Sequence, residues 1–407
     1  MKVFKLSTLL CLSFSTLLFS NEKSVGLDTY ISDLKQREFH YSYEKNEAEG
    51  SKLRDSWIAP LHLNYNYSKS KPYSDELTNQ SAAIKMDQPI FQSGGIYYGI
   101  KFANFSKLYA DLSVDVAKRK MIKESISLLM QIKKRTLQLE IQKLQISNAE
   151  INLEQKKEQY LSGQLDSGFL DNAIIQRNSV IESSYDIETA KEKLISTFET
   201  LSDLDYKTAK VPHLELISNK DFIEHNLVLE QNRAEIEKNR YYKNVTTAKY
   251  LPRVSLTAGY NWNDSEQQLS SSVSFKNNNS YYDYGFRVTM PLDINIFRDI
   301  ESSKIDYLKS KVVSQDKQKE VESLFTQVMH NREKYEKKIL LSYDNRALYR
   351  KLLEDTKELY KAGYKTKYDV DTLTNSLKIE SLKSKMYEIE KQLELLNLYE
   401  VYVNNGE

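Results

Sequence analysis

Cysteine is almost missing from this sequence of 407 residues, Cys11 being the only one. It lies in an apolar N-terminal stretch expected to be removed, which leaves no thiol for a disulfide or a thiolate metal site. Proline (6) and glycine (11) are scarce, and they cluster between long stretches that contain neither. Such stretches leave room for long uninterrupted helices. The five histidines, His40, His62, His213, His225 and His330, include no pair at metal-ligand spacing, so neither a metal site nor a cofactor is expected. Charge of one sign is not in excess, with 58 Lys and Arg against 57 Asp and Glu. That balance argues against a nucleic-acid partner. A phosphate-cradling glycine loop and a Gly-x-Ser-x-Gly elbow are also missing. The many carboxylates fall on charged helical faces, and the chain does not read as an enzyme.

No apolar run after the N-terminus approaches the roughly 18–20 residues that a membrane helix needs. The N-terminus itself reads as a secretory signal over 1–20, with Lys2 and Lys5, an apolar core from Leu9 to Phe19, and Ser20 at the cleavage end. Leu10 precedes Cys11 where a small residue is wanted, so lipidation is not expected. An exported chain without membrane helices can enter a bilayer only as a closed β-barrel.

What the sequence does contain is a repeat. Pro60 and Pro252 open matching strand-like runs, and Pro89 and Pro291 close matching second runs. Tyr160-Leu-Ser-Gly163 and Tyr360-Lys-Ala-Gly363 lie deep in matching helical stretches. Internal repetition sets the architecture before other signals. The first repeat is assigned to 21–210, with strands at about 57–70 and 81–92 and a helical hairpin at about 100–202. The second covers 211–407, with strands at about 252–264 and 281–294 and a hairpin at about 298–402. A further helix precedes each strand pair, at about 28–55 and 221–248.

The four strand-like runs alternate with period two. Leu61, Leu63, Tyr65 and Tyr67 oppose His62, Asn64 and Asn66, and Ala82, Ile84 and Met86 oppose Ala83, Lys85 and Asp87. Val254, Leu256, Ala258, Tyr260 and Trp262 oppose Arg253, Ser255, Thr257, Gly259 and Asn261. Tyr284, Phe286, Val288, Met290 and Leu292 oppose Gly285, Arg287 and Thr289. This pattern fits a lipid-facing barrel strand, and equally a soluble half-buried sheet. Both tryptophans and many tyrosines lie in or beside the runs, as interfacial girdles require. The connections 68–80 and 264–280 are polar and read as external loops. Four strands cannot close a transmembrane barrel, whose smallest form has about eight, so a barrel requires further copies of the chain, three of them giving twelve strands.

Neither glycine nor proline interrupts the chain between Gly99 and Gly163 or between Pro291 and Gly363. Apolar residues recur there at helical spacing, as Phe105, Leu108, Leu112 and Val116 do. Helices of 60–70 residues span roughly 90–105 Å and imply coiled-coil packing.

The ordered set of helix, strand pair and helical hairpin, repeated, resembles the outer-membrane efflux protein family, the TolC-like ducts. The local motifs are Tyr250-Leu-Pro-Arg-Val-Ser-Leu-Thr-Ala-Gly-Tyr-Asn-Trp262, Met86-Asp-Gln-Pro-Ile-Phe91, Met290-Pro-Leu-Asp-Ile294 and Tyr360-Lys-Ala-Gly-Tyr-Lys-Thr-Lys-Tyr-Asp-Val370. The resemblance implies a mainly α chain with a small β part. It implies a homotrimer whose twelve-stranded barrel sits in outer-membrane lipid and whose helical barrel projects into the periplasm. It also implies a passive exit duct in a tripartite efflux or type I secretion system, with a periplasmic adaptor and an inner-membrane pump as partners. A soluble periplasmic coiled-coil scaffold is the alternative. By position, the resemblance places adaptor contacts at Gly163, Gln164, Leu165, Gly363 and Tyr364. It places an acidic pore constriction at Asp369, with Asp371 beside it, and a gate latch at Tyr360 and Lys365 together with Asp171 of the first repeat. In the first repeat the matching aspartate is taken as Asp171, eight residues after Gly163 rather than six, which implies a two-residue insertion in that turn.

Overall fold

The computed structural model describes residues 27–71, 76–270 and 273–403. The expected signal segment and Cys11 lie outside them. A single 3-10 turn (Asp28–Tyr30) leads into α1 (Asp33–Arg54), then β1 (His62–Ser70) and β2 (Glu76–Phe91). The hairpin α2 (Gly95–Leu161) and α3 (Ser167–Leu201) follows. The order then repeats as α4 (Asn219–Glu224), α5 (Leu227–Lys249), β3 (Arg253–Ser270), β4 (Val273–Thr289), α6 (Ile296–Lys361) and α7 (Lys367–Tyr399). Both helical hairpins and the first preceding helix are present, whereas the second, expected as one helix over 221–248, is broken at His225 and Asn226 into α4 and α5.

The long helices α2 and α6 have 67 and 66 residues, or about 100 Å each. They start where β-structure stops. After β2 the backbone turns through Ser93 (φ 46°) and Gly94 (φ 84°). The second of these positions suits glycine, which has no Cβ to clash there. Ser93 Oγ donates to Pro252 O at 2.7 Å, tying the start of one repeat's helix to the start of the other repeat's strand.

Helix α2 is the hub, packing against α1, α3, α5 and α7, while α6 packs against α5 and α7. Near the sheet, Phe105 stacks on Tyr241 with centroids 5.5 Å apart, and Tyr43 donates to Asp115 at 2.6 Å. Farther down, the two hairpins share a buried polar tie at equivalent places. Gln142 Nε2 donates to Val180 O at 2.6 Å, and Ser342 Oγ donates to Glu380 O at 2.8 Å. The main apolar core lies at mid-length, where the segment between α3 and α5 crosses the helices. Leu214, Ile217 and Phe222 are buried there with Ile122, Ile126, Met130, Val328 and Leu396. Gln392 Oε1 accepts from Leu214 N at 2.7 Å and holds the crossing segment in place.

The four strands form one antiparallel sheet in the order β1-β2-β3-β4. Three further expectations need correction. The stretches 68–80 and 264–280, read as polar loops, are largely strand: β1 runs to Ser70, β2 starts at Glu76, β3 runs to Ser270 and β4 starts at Val273. Polar side chains do not prevent backbone pairing, and the register continues through them. Trp57 falls in the turn before β1, and Met290 and Leu292 fall beyond β4. The first helical tip contains no insertion, since Asp166 and Thr366, the caps of α3 and α7, each lie three residues past the tip glycine.

Candidate functional site

The sheet is inside-out. Cross-strand rows place Leu63, Ile84, Tyr260 and Tyr282 side by side, and Leu256 beside Phe286 and Val254 beside Val288. These residues share one face, and on it Leu63, Tyr284 and Phe286 are 74%, 79% and 74% exposed. The opposite face carries the row His62, Lys85, Gly259 and Asp283, and there Ser255 and Asn261 are buried at 4% and 9%. Elsewhere on that polar face His62, Lys85, Asp87, Asp283 and Arg287 are exposed. A water-soluble sheet hides its apolar side, so the exposed apolar face is the informative observation.

The polar face is internally paired. Arg287 lies 2.6 Å from Asp87 across β3, and Asn261 Nδ2 donates to Asp283 Oδ1 at 2.7 Å. Asp283 lies over Gly259, where an added Cβ would come within 2.7 Å of its carboxylate. The alternation marked Asp87 and Arg287 as polar-face residues but did not mark Asp283, whose role depends on the missing side chain opposite it. The two outer strands, β1 and β4, each have one edge that pairs with no other described strand of this chain.

The second site is the pair of tips, and the two are built alike. At the end of α2, Gly163 (φ 74°) follows Ser162, Gly163 N donates to Tyr160 O and Gln164 N donates to Gln159 O. At the end of α6, Gly363 (φ 82°) repeats this, with Gly363 N to Tyr360 O and Tyr364 N to Leu359 O. Both are Schellman endings, which glycine favours because it adopts the left-handed conformation without penalty. Space around both glycines is open. Tyr364 is 80% exposed, Gln164 is exposed and Leu165 is half-buried.

The cap of each return helix lies three residues past its glycine. Asp166 caps α3, accepting from Gly168 N at 2.8 Å, and Thr366 caps α7, accepting from Asp369 N at 3.3 Å. The turns are therefore equal in length. Asp171 is the counterpart of Asp371, and Phe169 is the counterpart of Asp369.

Asp369 completes a capping box, its Oδ2 accepting from Thr366 N at 2.9 Å and from Thr366 Oγ1 at 2.8 Å. The Thr366 backbone bond, joined by its hydroxyl and the nearby Lys365 charge, holds the Asp369 carboxyl below its ordinary range. Asp371 lies half-buried two residues further along α7. Among the described residues, no hydrogen bond or ion pair joins Tyr360, Lys365 and Asp171. The two tips are instead clasped by Tyr368, whose hydroxyl donates to Glu158 Oε1 at 2.7 Å. Higher up, Asn375 Nδ2 reaches Asn148 Oδ1 at 2.8 Å and Ser147 Oγ at 3.2 Å. Sequence reading missed this clasp, because nothing local links residues in different repeats.

No protein-family model and no curated protein matches the sequence. Solved structures do match. The chain is similar to the outer membrane protein VceC of Vibrio cholerae, with a TM-score of 0.70 and 14% identity, over 92% of this chain and 94% of that one. It is similar to the Campylobacter jejuni CmeC outer membrane channel, with a TM-score of 0.71 and 12% identity, over 93% and 86%. It is also similar to the open state of the Neisseria gonorrhoeae MtrE outer membrane channel, with a TM-score of 0.59 and 13% identity, over 90% and 85%. At these identities the fold is what is shared: this chain has the TolC-like duct fold that its repeat and strand pattern led us to expect.

Proposed function

We propose that the chain is the outer-membrane channel component of a tripartite efflux or type I secretion system, a passive duct across outer membrane and periplasm. The observation that carries this reading is the inside-out sheet, whose exposed apolar face suits lipid and whose polar face suits a water-filled lumen. A soluble scaffold would leave that apolar face in water, at a cost that scales with its area. Unpaired strand edges cannot stand in the hydrocarbon layer. In this proposal three copies join β1 to β4 of the neighbour and close twelve strands. The helices α2 and α6, each about 100 Å long, extend the duct into the periplasm.

The tips are the far end of that duct. The open backbone at Gly163, Gln164, Leu165, Gly363 and Tyr364 is proposed to receive a periplasmic adaptor, which couples the duct to an inner-membrane pump. Around the threefold axis, Asp369 and Asp371 form an acidic constriction that favours cations. Tyr360, Lys365 and Asp171 are proposed to hold neighbouring copies together in the closed duct. No chemistry is assigned to the chain, and energy is supplied by the pump.

The test is cell fractionation followed by planar-bilayer recording of the purified full-length protein. The expected result is recovery from the outer membrane and discrete conductance steps. Recovery from the soluble periplasmic fraction, with no conductance, would overturn the reading.

A further inference from the structure

A cavity of about 670 Å³ opens at mid-length between α2, α3, α7 and the segment following α3. Its apolar surface comes from Ile132, Leu137 and Ile389 with the ring of Tyr206. Ile132 is 1% exposed and packs with Ile195 and Phe198, so this surface belongs to a fixed core. Lys133, Lys191, Lys207 and Lys385 stand around it with a single acid, Glu388.

On α7 the acids beside the cavity pair with lysines that do not line it. Glu388 pairs with Lys391 at 2.7 Å, Glu380 pairs with Lys383 at 2.8 Å, and Glu390 pairs with Lys134. Among the described residues, none of the four lining lysines forms an ion pair, and Lys207 lies over the Tyr206 ring at 5.7 Å. Four ammonium groups without an ion-pair partner, against one lining carboxylate, create a field that concentrates anions, and the apolar wall between them recruits hydrocarbon. The volume lies within the range of small-molecule sites.

We propose that this cavity binds a free, single-headed anionic amphiphile, a medium- to long-chain carboxylate. Its chain lies against Ile132, Leu137 and Ile389, and its head lies among the four lysines. A bilayer lipid is the less suitable source, because Ile132 is roughly 55 Å along α2 from the sheet end at Gly95. The site rests on these side chains alone and does not depend on the export role.

The test uses full-length protein in nanodiscs of zwitterionic phospholipid, photolysed with a diazirine-bearing dodecanoate and mapped by peptide mass spectrometry. The expected result is label in peptides spanning 132–137, 206–207 or 385–389, displaced by dodecanoate and at least tenfold less well by dodecanol. The double substitution Lys133→Gln/Lys385→Gln, and separately Lys191→Gln/Lys207→Gln, is expected to lower that label at least tenfold with helix content unchanged. Equal displacement by dodecanol overturns the proposal, as does label confined to the apolar face of the sheet. So does the lack of label at this site in assembled protein, which would mean that a second copy covers it. Displacement by anionic phospholipid but not by free dodecanoate overturns the choice of a free amphiphile.

Discussion

Phe169 occupies in the first tip the place that Asp369 occupies in the second, each being the third residue of a return helix whose cap lies three residues past a left-handed glycine. Three copies of the chain would thus present alternating apolar and acidic positions at the end of the proposed duct. At this position only the second repeat supplies a carboxylate, Asp369, whereas two residues further along both repeats carry one, Asp171 and Asp371.

Substituting Asp369→Asn is expected to reduce cation preference and block by divalent cations in single-channel recordings. Thr366→Ala is the control, since it removes the cap at a cost of about 1 kcal/mol while keeping the charge. If the two variants behave alike, Asp369 acts only as a helix cap.

The pH dependence of the tip follows from the lowered carboxyl of Asp369. A carboxylate that titrates lower in the folded state stabilises that state fully above its unfolded value, and the contribution is lost as pH falls through the folded one. The start of α7 is therefore expected to keep its protection in hydrogen exchange at pH 5 and to fray only below the ordinary carboxylate range. Fraying between pH 5 and 7 would contradict this.

Removing the Tyr368 hydroxyl with Tyr368→Phe breaks the bond to Glu158 that joins the two hairpins at 2.7 Å. The expected consequence is a looser tip, read as higher mean conductance or longer openings with unchanged thermal stability. Unchanged conductance would show that the clasp does not limit the opening.

The two faces of the sheet should respond oppositely to charge. Phe286→Arg, on the exposed apolar face, is expected to cost about 2–4 kcal/mol if it lies near mid-membrane. Thr257→Arg, on the polar face, is expected to be tolerated. Abundance of assembled protein in the outer membrane, read on unheated denaturing gels, separates the two. Equal loss in both would argue against a lipid-facing side.

Stability should depend on the mid-length core more than on the hairpin ties. Phe222 is fully buried, and Phe222→Ala is expected to cost about 3–5 kcal/mol. Ser342→Ala, which removes the bond to Glu380 O, is expected to cost about 0.5–1.5 kcal/mol. The larger fall in thermal midpoint should belong to Phe222→Ala.

Much of the fold was legible because two periods are written plainly in the chain. Leu63, Tyr65 and Tyr67 alternate with polar residues, and the glycine-free stretches leading to Gly163 and Gly363 leave helix as the only economical backbone. The ends of the strands were not legible. Ser68, Asn79 and Asn278 read as loop on composition, yet each pairs in the ladder, since backbone hydrogen bonds are indifferent to a polar side chain pointing to water. At the tips the glycines were found, but Asp166 was not recognised as a cap, and the Asp171 spacing was mistaken for an insertion. The Tyr368–Glu158 contact joins residues far apart in sequence. No local pattern encodes such a contact.

The most direct measurement is the protein mass of the particle extracted from the outer membrane, by light scattering with the detergent contribution subtracted. The account predicts the mass of three chains, the smallest closed ring of these four-stranded sheets that exceeds the barrel minimum with strands to line a lumen. A monomer or dimer in that fraction, or protein found only in soluble form, would contradict it.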